Sequence, residues 1–154
     1  MATRSIISVV ATEGYLTETG SAINIKDQRI SWFGRYCHWD GYPEHMVPAI
    51  CGVVQKYGVE RAKTLIMRSA YSSFGIGSDS NDPDAIGTVS YPNDGYILDG
   101  GDDWSTEYRY LIKNNGQLEV YAVGGITHEL LDTYIMATGE KIKPVVGAPL
   151  SIVK

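Results

Sequence analysis

The run Arg35-Tyr36-Cys37-His38-Trp39-Asp40-Gly41-Tyr42-Pro43-Glu44-His45 constrains the fold of this chain more than any other stretch. Arg29 to Trp39 reads as a strand with partial alternation, and Gly41-Tyr42-Pro43 ends it. Alternate side chains share a face of a strand, so Tyr36, His38 and Asp40 are expected on one side and Cys37 and Trp39 on the other. Most of these side chains are costly to bury unpaired, and a strand that only filled a core would use Val, Ile and Leu. The run therefore reads as a site, or as a turn held by side-chain hydrogen bonds.

The periodicity changes directly after it. Met46, Ile50, Val53, Val54 and Tyr57 fall at helical spacing, with Pro48 expected in the first turn and Gly58 as the stop. A second helix is expected over Val59 to Arg68, with Val59, Ala62, Leu65 and Ile66 inward. Upstream, Thr3 to Ala11 is β-branched and apolar and reads as a buried strand, Thr12-Glu13-Gly14 as a turn, and Tyr15 to Ile25 as an exposed strand pair. Ser69 to Trp104 is rich in Gly, Ser, Asp, Asn and Pro and reads as a long loop, with short strands at Val89-Ser90-Tyr91 and Tyr96-Ile97-Leu98. Thr106 to Lys113 and Gln117 to Val123 form a hairpin around Asn114-Asn115-Gly116, because Asn-Gly supplies positive φ angles. Gly124-Gly125 reads as a hinge and Thr127 to Thr138 as a third helix, with Thr127 as its N-cap and Leu130, Leu131, Tyr134 and Ile135 inward.

These elements predict an α+β class: a single domain with an antiparallel sheet and two or three helices packed on one face. Residues 1–125 form the core, and residues 126–154 form a C-terminal helix and an apolar tail, Pro144 to Val153, suited to an oligomer arm. The length of 154 residues fits one domain. The net charge of -5 argues against non-specific nucleic-acid binding, which needs a basic face to displace counterions. Cys37 and Cys51 are too few for a disulfide scaffold. Ile6 to Ala11 is too short for a signal peptide, and no apolar run approaches the ~18 residues of a membrane span. A reduced, cytoplasmic protein is expected.

The candidate chemistry centres on the same run. His38 and Asp40, two apart on one face, suggest a base and its orienting carboxylate, but no Gly-framed Ser nucleophile accompanies them. Alternation separates Cys37 from His38, which disfavours a thiolate pair. His38, Asp40, Glu44 and His45 lack any zinc spacing, so no metal and no cofactor are expected. The acidic residues Asp79, Asp82, Asp84, Asp94, Asp99, Asp102 and Asp103 read as a solvated loop, lacking the Gly and Glu of a calcium loop. Gly75-Ile76-Gly77 echoes a phosphate loop without its Lys. The aromatics Tyr36, Trp39, Tyr42, Tyr71, Phe74, Tyr91 and Tyr96 offer stacking faces for a planar ligand. Arg35, Arg68 and Arg109 are the candidate phosphate partners. The expected ligand-binding set is Arg35, Tyr36, His38, Trp39, Asp40, Tyr42 and Arg109.

Two segments, Met1-Ala2-Thr3-Arg4-Ser5-Ile6-Ile7 and Tyr36-Cys37-His38-Trp39-Asp40-Gly41-Tyr42-Pro43-Glu44-His45, resemble a family of small uncharacterised phage and prophage proteins. In that family a Thr-Arg-Ser strand leads to a Tyr-Cys-His-Trp-Asp-Gly-Tyr-Pro turn, a helix follows, and a Tyr-rich hairpin lies near the end. Glu107-Tyr108-Arg109-Tyr110-Leu111 and the Asn-Gly hairpin look like that last element, so the match runs in outline over residues 1–123. The chain departs from it by a longer insert before the motif, by Met46-Val47-Pro48-Ala49-Ile50 where an Asn-Gly-Lys-Leu-Leu type opening is usual, and by the tail after Gly125. The resemblance implies a phage setting and a fold, not a reaction, and by analogy a counter-defence factor. The expected function is a non-enzymatic phage accessory protein that sequesters a small nucleotide-like ligand in the host cytoplasm, as a homo-oligomer. The alternatives are an inhibitor that binds a host protein, a nucleotide hydrolase using His38 and Asp40, and an assembly protein whose tail completes a neighbour.

Overall fold

A computed structural model describes residues 3–10, 31–78, 81–92, 97–98, 106–124 and 127–143. The expectations for Thr12 to Ile25, Asp79, Asp94, Tyr96, Asp99, Asp102, Asp103, Gly125 and the tail from Pro144 lie outside these residues. The elements are β1 (Ser5–Val10), β2 (Trp32–Cys37), α1 (Pro43–Tyr57), α2 (Val59–Ile66), β3 (Ser69–Phe74), β4 (Gly87–Pro92), β5 (Ile97–Leu98), β6 (Tyr108–Ile112), β7 (Gln117–Gly124), β8 (Thr127–Ile135) and β9 (Glu140–Lys141).

The class is α+β. Among the described residues the strands form one sheet in the order β4-β3-β2-β1-β6-β7-β8-β9, with β5 against the start of β2. The expected antiparallel sheet is instead mixed. β1 runs parallel to β6, with Ile7 opposite Tyr110, and β2 runs parallel to β3, with Cys37 opposite Tyr71. The second parallel pair follows from the two helices, which carry the chain from the end of β2 back to the start of β3.

Strand alternation sorts the sheet. Ile7, Val9, Phe33, Cys37, Tyr110, Ile112, Leu118 and Val120 join Met46, Val47, Ile50, Val53 and Val54 of α1 and Ala62 and Ile66 of α2 in one buried cluster. The opposite face of the central strands carries Ile6, Ser8, Trp32, Tyr36 and Arg109. Gly34 sits where β2 crosses β1: a Cβ there would lie 2.6 Å from the Ile7 carbonyl oxygen.

Three expectations are corrected. Thr127 to Thr138 is not a helix. Residues Thr127–Ile135 form β8, paired with β7 from Gly124↔Thr127 to Gln117↔Ile135. The spacing of Leu130, Leu131, Tyr134 and Ile135 fits a helix, but β7 offers a ladder that an isolated helix cannot match. Ser69 to Phe74 is not loop but β3, between β2 and β4. Finally, α1 begins at Pro43, so Pro48 lies inside the helix rather than in its first turn. Pro43 presets the φ of the opening position, and Pro48 supplies no N–H to the Glu44 carbonyl. Among the described residues no helix is long and apolar enough to cross a membrane.

Candidate functional site

Backbone bonds from three directions fix the turn after β2. The His38 N–H donates to the Tyr71 carbonyl at 3.0 Å, and the Trp39 N–H to that of Ser72 at 2.7 Å, extending the β2–β3 pairing past the strand. The Gly41 N–H donates to the Thr3 carbonyl at 2.8 Å, and the Tyr110 hydroxyl donates to the Gly41 carbonyl. A Cβ on Gly41 would meet the Thr3 oxygen at 2.5 Å and the Ser5 Cβ at 2.7 Å, so only glycine allows the approach. Asp40 takes a left-handed backbone, φ 55°, which Asp tolerates better than most residues.

The side chains of the run separate as the turn forms. Cys37 is fully buried, and burial pushes its thiol up to about 12; the thiol donates to the Trp39 carbonyl at 3.5 Å. Burial raises the Cys51 thiol as well. Both are inert thiols at neutral pH. Tyr36 and His38 share a face, as expected, and the Tyr36 hydroxyl lies 2.7 Å from His38 Nδ1. Asp40 has left the strand, and no hydrogen bond joins it to His38. The expected base-and-carboxylate pair is therefore replaced by an imidazole and a phenol. The His38 ring meets Trp39 edge-on at 4.6 Å between centroids.

Trp39 and Tyr42 stand out into solvent, 48% and 39% exposed. Tyr42 is the N-cap of α1 and leans on His45, with ring centroids 6.2 Å apart. His45 Nε2 donates to the Phe74 carbonyl at 2.7 Å, which ties α1 to the end of β3. Beside this bond runs a groove of about 390 Å³ lined by Glu44, His45, Pro48, Ala49, Gly52, Gly75 and Ile76. Ile76 is itself 41% exposed. Gly75, Ile76 and Pro48 stand out in the sequence, but they point to this groove only once β3 is seen as a strand ending beside α1. Among the described residues no three His, Cys, Asp or Glu side chains converge as metal ligands.

The two arginines of the expected ligand set lie elsewhere. Arg35 is buried on the helix side of β2. Its Nε donates to the Met67 carbonyl at 2.9 Å and its Nη2 to that of Arg68 at 3.2 Å, so it caps the C-terminal end of α2, where a cation is favoured. Arg109 lies on the opposite sheet face, and β1 separates it from Tyr36: Ile6 faces Tyr36 on one side and Arg109 on the other. Its guanidinium is stacked between Tyr121 at 4.1 Å and Trp32 at 4.5 Å, and Nε donates to His128 Nδ1 at 2.8 Å. The Tyr121 hydroxyl donates to Glu119 at 2.7 Å. Burial, then that carboxylate, push Tyr121 up to about 12 against the pull of Arg109. Arg35 and Arg109 thus serve the interior, while Tyr36, His38, Trp39, Asp40 and Tyr42 gather at the turn.

Comparison with protein-family models, with curated proteins and with solved structures finds no match. The turn surface must be read from its own geometry.

Proposed function

We propose that this chain is a non-enzymatic binding protein, and that Trp39, Tyr42 and the groove along the start of α1 receive a segment of a partner protein. The observation that carries this reading is the pair of exposed aromatic rings on a backbone fixed by β1, β3 and β6. Large rigid aromatics beside a groove are what protein interfaces use as anchors, because they bury much area at little conformational cost. The rim charges are the carboxylates of Asp40 and Glu44, so a segment with apolar side chains and a basic residue suits it. Beneath it we read a single α+β domain with both helices on one sheet face, consistent with the one buried cluster they share. The likeness of the turn to the phage family makes a host protein the partner to seek, with counter-defence as the role.

A nucleotide-like ligand is the second reading. The same two rings can stack on a base, but the phosphates would have to be met by residues other than Arg35 and Arg109. The test uses the immobilised full chain and a Trp39→Ala/Tyr42→Ala variant in host lysate, with native mass spectrometry of both. A protein retained by the first and lost by the second supports the proposal. Equal retention by both, or retention of nothing, overturns it. A bound mass of a few hundred daltons that disappears in the variant transfers the site to the second reading.

A further inference from the structure

The groups left open at the turn select one backbone conformation for a segment that docks there. Among the described residues the Trp39 Nε1–H and the Tyr42 hydroxyl meet no acceptor within the chain, and both rings are exposed. The rings are nonetheless held. Trp39 stands edge-on to His38 and its N–H is bonded to Ser72, while Tyr42 leans on His45 and its carbonyl accepts from the Met46 N–H at 3.0 Å. Ser72, bonded to Trp39, and Phe74, bonded to His45, are two residues apart on β3, a distance of about 7 Å. Beyond Phe74 the same surface runs into the groove, whose walls at Ala49, Gly52 and Gly75 are small and whose Ile76 is exposed.

Three regular conformations are open to a docked segment. A β-strand joins through backbone bonds, but the N–H groups of His38 and Trp39 are already bonded to β3. An α-helix has its carbonyls bonded internally and presents only side chains to two ring donors. A polyproline II segment leaves its carbonyls unpaired, and its three-residue turn brings apolar rings repeatedly to one side. Its carbonyls can accept from Trp39 and Tyr42 while its pyrrolidine rings lie on the aromatic faces. The rim sets the charge. Asp40 and Glu44 have no cationic partner among the described residues. Pro48 also leaves the Glu44 carbonyl without its helical donor. A rim of acceptors calls for a donor-rich cation, which Arg supplies.

We propose that the segment received by this turn is proline-rich, in the polyproline II conformation, with a basic residue that meets Asp40 and Glu44. The proposal rests on the turn being a protein-docking site.

Fluorescence anisotropy of labelled peptides with the full chain tests it. The first probe is an oligoproline of about nine residues, three turns of polyproline II, ending in arginine. The second ends in glutamate instead, and the third has its prolines replaced by alanine and leucine. The first should bind, and the other two should be weaker by about tenfold or more. Trp39→Phe and Tyr42→Phe each keep a ring and remove a donor, and each should weaken the first peptide by about fivefold. Asp40→Asn/Glu44→Gln should erase the preference for arginine over glutamate, and Asn tolerates the left-handed backbone at position 40. No binding of the first peptide, or equal binding of the proline-free one, overturns the proposal. So does binding that Trp39→Phe and Tyr42→Phe both leave unchanged. The docking site is judged separately, by capture of a host protein that the Trp39→Ala/Tyr42→Ala variant loses. Such capture, undisturbed by an excess of the first peptide, overturns the proline-rich segment and leaves the docking site standing.

Discussion

The turn after β2 and the edge of β8 both hold large apolar side chains to solvent, on different foundations. The turn is anchored to the centre of the sheet: Thr3, Tyr71, Ser72 and Tyr110 all bond its backbone, and Gly41 has no room for a side chain. Among the described residues β8 has one full-length neighbour, and both of its adjacent leucines are exposed. A surface built on the core keeps its shape before any partner arrives. A strand held from one side is completed by whatever pairs with the other. The first arrangement suits recognition, and the second leaves the strand dependent on β7.

This contrast can be broken most severely by alkali. The Cys37 thiol under the turn is held near 12 in the folded protein against an ordinary 9.0. The folded state keeps a proton that the unfolded state releases, so the stabilisation is complete below about pH 9 and is lost as pH rises toward 12. At one pKa unit per 1.36 kcal/mol, Cys37 alone accounts for a loss of about 4 kcal/mol. Tyr110, raised by burial, adds to the loss at still higher pH. Urea midpoints measured from about pH 8 to about pH 11 should fall steeply for the native chain and less steeply for Cys37→Ala. A flat profile would remove the buried thiol from the account of the turn.

Gly41→Ala comes next. The added methyl meets backbone at 2.5 Å rather than a flexible side-chain end. The loss should be on the order of 3 kcal/mol in urea unfolding, and the Trp39 and Tyr42 rings should lose their fixed setting. The smallest effect sharpens the contrast from the other side. Trp39→Ala and Leu130→Lys both alter exposed side chains and should change stability by no more than about 0.5 kcal/mol, even where the first abolishes binding. A Trp39→Ala loss of several kcal/mol would make the turn a structural feature rather than a presented surface.

Much of the fold was legible. The apolar run of β1, the helical spacing from Met46 to Tyr57, the stop at Gly58 with φ 83° and the Asn-Gly hairpin at Gly116 with φ 88° are local signals, and each formed where expected. β8 was not legible. Thr127-His128-Glu129-Leu130-Leu131-Asp132 satisfies a helical pattern, and a strand exposed on both faces has no reason to alternate. β3 hid behind Ser69, Ser72 and Ser73, small residues that a strand tolerates when its neighbours supply the pairing. The turn residues were found because their polarity is out of place in a strand. The surroundings of Arg35 and Arg109 were not legible, because composition cannot tell a cation that caps a helix end or lies between rings from one that faces a ligand.

The position of β1 sets the order in which the molecule can be made. Its residues pair in parallel with β6, so Ser5 meets Tyr108 and Val9 meets Ile112 across most of the chain. On a ribosome, β1, β2, both helices and β3 emerge while the other neighbour of β1 is still unsynthesised. Closing so long a loop is slow, and until it closes the apolar strand has one bare edge. Emergence of β6, more than the appearance of the first half of the chain, starts the final folding step.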